Sequence, residues 1–358
     1  MDYAAAIMGQ NSPSVNELGA VGVFRFRGCR AILDDMRAWI ALALLVTACG
    51  SAVRPSPQPV PVPTPTPQPT PTPQPPLPPP PRVTYTGRVV STQTAAPIPN
   101  AMIALDTIVP IQADAAGNFS AETADTPLHA VISGPGYLTR ETRLSAGHPI
   151  TVDLIATAAP FSTIFYGQLV RNMLESPTPD IVRTLPAAPA FYLQTAGLSS
   201  SNIDHLVAAA REIVPILTGG RFTMATVETG AEARPERAGW IVVDTVNEGN
   251  NGHCGRAAVG AVSGHIWLNI GEPGCALNGD ALPAIVMRHE MGHSLGFFHI
   301  DVPNSLMYYR TNRGAGLPAD GERYHAAIAY RRQAGNRDPD NDSPTSTPLV
   351  VRHPVIVD

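Results

Sequence analysis

Two histidines four residues apart, with a glutamate beside the first, are the groups in this chain best suited to chemistry: His289-Glu290-Met291-Gly292-His293. On a helix, positions i and i+4 lie one turn apart on the same face, so both imidazoles can reach a single cation. Glu290 then stands where it can hold a cation-bound water rather than the cation itself. Gly296 can take positive φ, end the helix and turn the chain sharply, which lets His299 return to the same cation from another direction. Neutral imidazoles suit Zn2+, and three protein ligands leave a fourth position open to water, as catalytic sites require. A structural zinc site would be closed by four ligands, often with Cys, and would have no use for Glu290. His253 and His265 read as surface or hydrogen-bonded histidines.

The elements that must position these groups follow from apolar spacing. Ile285, Val286, Met291 and Leu295 recur at helical intervals over Ala284 to Leu295 and place both ligands on one buried helix. Asn202 to Leu217 reads as an amphipathic helix opened by Ser199 to Ser201, and Glu322 to Gln333 as a closing helix. Phe222 to Val227, Trp240 to Val246, Ala257 to Val262 and Gly264 to Ile270 read as strands. Downstream of the histidines stands Ser305-Leu306-Met307-Tyr308-Tyr309.

Taken together, His289-Glu290-x-x-His293-x-x-Gly296-x-x-His299 and the later Met307 resemble the metzincin zinc endopeptidases, whose pattern is His-Glu-x-x-His-x-x-Gly-x-x-His with a Met-turn. The resemblance implies an α+β fold with a metzincin-type catalytic domain over residues 158–335. It makes His289, His293 and His299 the Zn2+ ligands, Glu290 the general base and then acid, and Met307 the apolar floor beneath the metal. Tyr309 stands two residues after Met307, as does the Met-turn tyrosine of astacin-like and serralysin-like members, where it can approach the metal. The short interval from His299 to Met307 is more matrixin-like, so a catalytic and a core role for Tyr309 both stay open. By the same resemblance Ala257 to Val262 is the edge strand on which an extended peptide substrate pairs through its main chain. The implied activity is that of a zinc metalloendopeptidase, a protease acting on extracellular or cell-surface proteins. A metal-dependent amidase acting on cell-wall peptides would share the chemistry.

Residues 83–157 carry short apolar runs at Tyr85 to Val90, Ala101 to Leu105, Gly117 to Ala121, Leu128 to Ser133 and Ile150 to Ile155, separated by Pro, Gly, Asn and Asp. These predict a small all-β sandwich. Gly87-Arg88-Val89-Val90, Ala96-Pro97-Ile98-Pro99-Asn100-Ala101, Asp114-Ala115-Ala116-Gly117-Asn118-Phe119 and Gly134-Pro135-Gly136-Tyr137 resemble a carboxypeptidase regulatory-like, transthyretin-like domain. That resemblance implies a hairpin turn at Asp114 with Phe119 entering the core, Tyr137 packing inward, and no catalytic residue.

Before the sandwich the chain reads as an address and a tether. Residues 1–35 look like neither signal nor domain, and Met36 is the expected start. Residues 36–49 combine Arg37, the apolar run Trp39 to Val46 and Val46-Thr47-Ala48-Cys49, which resembles a bacterial lipobox with Cys49 as the lipidated residue. The apolar run is too short to span a bilayer as a helix. Residues 50–82 form a Pro-rich linker favouring extended polyproline II. The implied location is the bacterial cell envelope, anchored to the membrane by lipid and facing the periplasm or exterior.

A net charge of −5 with no long basic run gives no footprint for nucleic acid. All 24 basic residues are Arg, so no lysine amine is available for Schiff-base chemistry. With Cys49 acylated and Cys29 ahead of the expected start, Cys254 and Cys275 remain as an even pair, either a disulfide or two buried thiols. The loop Asn247 to Gly252, with Glu248, either holds Ca2+ through oxygens or is a plain solvated loop. Residues 336–358, rich in Asp, Asn, Pro and Ser, predict a mostly disordered tail. The competing function is a surface adhesion or binding lipoprotein whose zinc peptidase domain is vestigial.

Overall fold

Period-two burial builds the first lobe: in β5 (Leu128–Ser133), Leu128, Ala130 and Ile132 point inward while His129, Val131 and Ser133 stay half-buried. A computed structural model describes residues 81–342 and 355–357, apart from 107, 125–127, 261, 276–281 and 310–315. Met36, Cys49 and the Pro-rich stretch up to residue 80 lie outside the described residues. In the first lobe, β1 (Val83–Ser91), β4 (Asn118–Thr123) and β7 (Ile150–Leu154) form one sheet in the order β4-β1-β7. The second sheet runs β3-β2-β5-β6, with β2 (Met102–Leu105), β3 (Ile108–Gln112) and β6 (Arg140–Leu144). Tyr85, Val89, Ile103, Phe119, Ile132 and Leu154 from both sheets close a single apolar core. Asp114 Oδ1 accepts the N–H groups of Ala116 and Asn118, both at 2.8 Å, which shapes the turn that delivers buried Phe119. Strands β3 and β6 have no counterpart in the apolar runs of the sequence.

The second lobe is a six-stranded sheet covered by helices, so the protein is an α+β mixture. Its order is β13-β11-β12-β10-β8-β9, with β8 (Ala190–Gln194), β9 (Thr226–Gly230), β10 (Trp240–Val246), β11 (Gly255–Val259), β12 (Gly264–Asn269) and β13 (Val355–Val357). β9, β8, β10 and β12 pair in parallel, while β11 is antiparallel to β12 and β13 antiparallel to β11. The central strands carry unbroken buried runs, Phe191 to Leu193 and Ile241 to Val243, as strands covered on both faces must. Helices α1 (Thr163–Arg171), α2 (Ser200–Leu217), α3 (Leu282–Ser294) and α4 (Asp320–Ala329) complete the lobe. Ile213 of α2, Val243 of β10, Ile266 of β12 and Met287, Met291 and Leu295 of the α3 segment share its core. Among the described residues no helix is long and apolar enough to cross a membrane.

Four expectations need correction. The strand expected at Phe222 to Val227 lies at Thr226–Gly230, because Phe222 is held in a turn where Thr218 Oγ1 accepts its N–H. The strand expected at Ala257 to Val262 ends at Val259, where Gly260 instead donates its N–H to His293 O at 3.0 Å, and it is not the edge of the sheet, because β13 pairs along its outer side. Helix α4 ends at Ala329 rather than Gln333. The segment from Asn336 to Asp342 is not a solvated tail. Arg332, wholly buried, grips Asp340 through two contacts at 2.6 and 2.8 Å and reaches Asp153 of β7 at 2.9 Å. Arg140 of β6 bridges Asp153 at 2.6 Å and Asp342 at 2.9 Å. The acidic residues that made this stretch look disordered are the partners of buried arginines, and the same network joins the two lobes.

Candidate metal centre

Helix α3 carries His289, Glu290 and His293, and its end sets the third histidine. Gly296 has φ +103°, and a Cβ there would run into the Arg183 carbonyl. Phe297 donates its N–H to Gly292 O at 3.1 Å and Gly296 to His293 O at 2.8 Å, a Schellman arrangement that satisfies the last carbonyls of the helix. The chain then doubles back under α1. Phe298 donates its N–H to Leu169 O at 2.8 Å and Asp301 to Gln168 Oε1 at 3.1 Å, so both sides of His299 are tied to that helix.

Each imidazole is oriented by a fixed acceptor on its Nδ1. His289 donates to Leu306 O at 2.6 Å, His293 to Phe297 O at 2.8 Å, and His299 to a Glu175 oxygen at 2.6 Å. Carbonyl and carboxylate oxygens only accept, so the proton of each neutral ring sits on Nδ1 and the lone pair on Nε2. The three Nε2 atoms converge, His293 to His289 at 3.1 Å and His289 to His299 at 3.3 Å. Neutral rings cannot hydrogen-bond to one another in this arrangement. Three lone pairs aimed at a common point form a cation's donor set, and the three histidines lie close enough to hold a metal ion. Burial, and after it the neighbouring His299, pushes the His289 pKa down to about 4. Burial also holds His293 well below the ordinary histidine range, keeping it in the neutral form that metals bind. Glu175 is held below its ordinary range, first by the hydrogen bond from His299.

The residues read as catalytic are placed around this cluster. Glu290 is buried against β11, where a Cβ on Gly255 would stand 3.1 Å from its Oε1. Met307 is fully buried with its sulfur packed on Gly292, at a point where α3 has no side chain to keep it off. Ile300 donates its N–H to Met307 O at 2.9 Å, and Tyr309 donates its own to Ile300 O at 3.3 Å. Tyr309 is 38% exposed, with its ring edge-on to Tyr308.

A scan against protein-family models finds no match for this chain, and a search of curated proteins finds no relative. The functional reading therefore rests on the chemistry of the site.

Two residues that spacing could not reveal support the cluster. Glu175 lies just beyond α1 and fixes His299. Glu322, at the start of α4 and fully buried, accepts the N–H groups of Leu306 at 3.0 Å, Met307 at 2.7 Å and Ala319 at 2.6 Å. Leu306 is thus held by its N–H while its carbonyl orients His289.

Cys254 and Cys275 form a disulfide with Cα atoms 5.3 Å apart, pinning the start of β11. The Asn247 to Gly252 loop is held by protein donors. Arg256 pairs with Glu248, and the Asn269 amide donates to Gly249 O, Asn251 Oδ1 and His253 O at 3.0 to 3.1 Å. Among the described residues the one metal-holding group identified is the histidine cluster. His265 is hydrogen-bonded to Glu236 at 3.0 Å and Asp244 at 2.8 Å, and stacks on Trp267.

Proposed function

We propose that this chain is a zinc-dependent endopeptidase, with His289, His293 and His299 holding the metal and Glu290 moving the proton. The observation that carries the proposal is the convergence of three Nε2 lone pairs, each ring fixed through its Nδ1, beside a buried carboxylate on the same helix. Zinc fits the donor set because three neutral imidazoles meet its preference and leave room for a further ligand. When bound, it would supply Lewis-acid chemistry, polarising a scissile carbonyl and acidifying a water.

The chain's own residues do the rest. Glu290, next to the first ligand, accepts the proton of the attacking water and returns it to the departing amine, so one carboxylate serves both halves of the reaction. Met307 fills the space under the histidines with an apolar side chain, and its peptide is locked by Glu322. The strand β11 beside Glu290 would offer main-chain groups to an extended peptide along the side that β13 occupies in this structure. Tyr309 is proposed to stabilise the transition state, an assignment that Tyr309→Phe tests directly. The lipobox-like Val46-Thr47-Ala48-Cys49 supports an envelope-anchored protein, with the Pro-rich stretch as spacer.

The deciding experiment is hydrolysis of a mixed peptide library by the zinc-loaded chain and by Glu290→Ala. The proposal expects cleavage by the first, abolished by chelator, and none by the second despite retained zinc. Cleavage by Glu290→Ala would overturn it.

A further inference from the structure

The edge of the sheet beside the metal centre is covered by the chain itself. Val355 stands opposite Val259, Ile356 opposite Ala258 and Val357 opposite Ala257, so β13 adds to β11 as an antiparallel strand. β11 is fixed along α3 at both ends: Gly260 donates its N–H to His293 O, and Gly255 abuts Glu290. The register therefore has a direction. As residue numbers rise along β13 they fall along β11, so the chain advances from the His293 end toward Glu290. A peptide that pairs antiparallel with this edge, as β13 does, follows the same path past Glu290.

We propose that Val355–Val357 is a built-in occupant of the peptide-binding edge, which a substrate must displace. The proposal rests on the peptidase reading of the site and adds the means by which activity is restrained. Three paired residues offer few main-chain hydrogen bonds, so the occupant is weak in isolation. Twelve residues separate β13 from Asp342, which Arg140 anchors, and a tether of that length keeps the segment at an effective concentration in roughly the millimolar range. Weak contacts combined with a short tether make a competitor that yields to a good substrate.

The test uses the full chain carrying Val355→Pro and Ile356→Pro together. Paired residues in an antiparallel ladder alternate between bonded and non-bonded positions, so one of two neighbours must donate to β11, and proline at both removes that donor whichever it is. In a Glu290→Gln background, which leaves the probe intact, a fluorescent peptide copying residues 350–358 is titrated by anisotropy against the chain with and without the prolines. We expect at least tenfold tighter binding to the proline variant. Equal affinity, or no binding to either, overturns the proposal. With Glu290 restored, KM for an unrelated extended peptide should fall about tenfold at unchanged kcat. If neither protein hydrolyses peptides yet the probe still distinguishes them, the peptidase reading fails and the strand occupancy stands. If both hydrolyse with equal KM and bind the probe equally, the reverse holds.

Discussion

Glu175 and His299, 124 positions apart, meet through a 2.6 Å hydrogen bond from the histidine Nδ1 to the carboxylate. The bond does more than add a contact. It fixes the ring's tautomer and plane, so that Nε2 faces the nitrogens of His289 and His293, and it lends the ring negative charge from a group held ionised by the bond itself. The first two histidines are oriented by main-chain carbonyls and the third by a carboxylate, which makes His299 the ring whose basicity depends most on a single side chain.

Removing that carboxylate should therefore act on the metal before it acts on the fold. Glu175→Ala is expected to weaken zinc binding by about 10- to 100-fold, and Glu175→Gln by less because the amide oxygen still accepts the bond. Competition against a chromophoric chelator measures both. An unchanged affinity in Glu175→Ala would show that the helix turn alone orients His299.

Glu322 controls the opposite side of the centre. Its two oxygens receive three backbone N–H groups in a buried setting, and one of those peptides carries the carbonyl that orients His289. Glu322→Gln would turn an amide N–H toward backbone donors, a cost of about 1–3 kcal/mol for each buried group left unsatisfied. Chemical denaturation should record that loss, with a weaker hold on zinc from displacement of Leu306. Full stability in this variant would show that the Leu306–Met307 turn keeps its shape without the clamp.

The convergence of the three histidines was legible in the sequence because helix periodicity and one glycine determine where they point. The supporting groups were not. Glu175 sits in an unremarkable Asn-Met-Leu-Glu stretch, and only the folding of α1 over the Phe298 to Asp301 segment brings it to His299. α1 itself escaped notice, and β8 lies in a stretch whose Pro and Ala obscure the buried run Phe191 to Leu193. β6 reads as polar because Arg140 and Glu141 dominate it, although Arg140 is buried between two aspartates. Composition assigned Asp340 and Asp342 to solvent, since it counts charges without seeing the arginines that neutralise them.

That network should be costly to break from one side. Arg332 is fully buried, and Asp340 is 1% exposed in its side chain, so Arg332→Ala leaves two carboxylates without their main cation. A loss of about 3–5 kcal/mol is expected in urea unfolding. The exposed pair Arg323–Asp320 offers a control, where Arg323→Ala should cost less than about 1 kcal/mol. Similar losses at the two sites would refute the structural weight given to the lobe junction.

The disulfide encloses a segment with a sequence separation of 21 that includes β11 and β12. Cys254→Ala with Cys275→Ala should lower stability by about 3 kcal/mol, chiefly by freeing the unfolded chain. Thermal unfolding of oxidised, reduced and substituted protein checks this. Reduction should reproduce the substitution, and a shift seen only with the substitution would trace to the packing of Cys275.

Acid should loosen the seam between α1 and α4 through His325. Its ring is buried on Phe161, Phe165 and Tyr324, its Nδ1 donates to Gly321 O at 2.7 Å, and its Nε2 accepts the N–H of Ser162 at 3.0 Å. Burial lowers its pKa below the ordinary histidine value of 6.5. The fold thus binds the neutral ring, while the unfolded chain takes up a proton at higher pH. Its contribution is fully present above about pH 6.5 and is lost as pH falls below that value through the folded-state pKa, with a slope of at most about 1.4 kcal/mol per pH unit. His289 and His293 titrate in the same direction, so the informative quantity is the difference between wild type and His325→Gln, which keeps a donor and an acceptor without the titration. Urea midpoints measured without zinc from pH 7.5 to 5 should converge for the two proteins as the pH drops. Parallel curves would mean that the folded and unfolded rings take up their proton over the same pH range, so that His325 lends the fold no acid sensitivity.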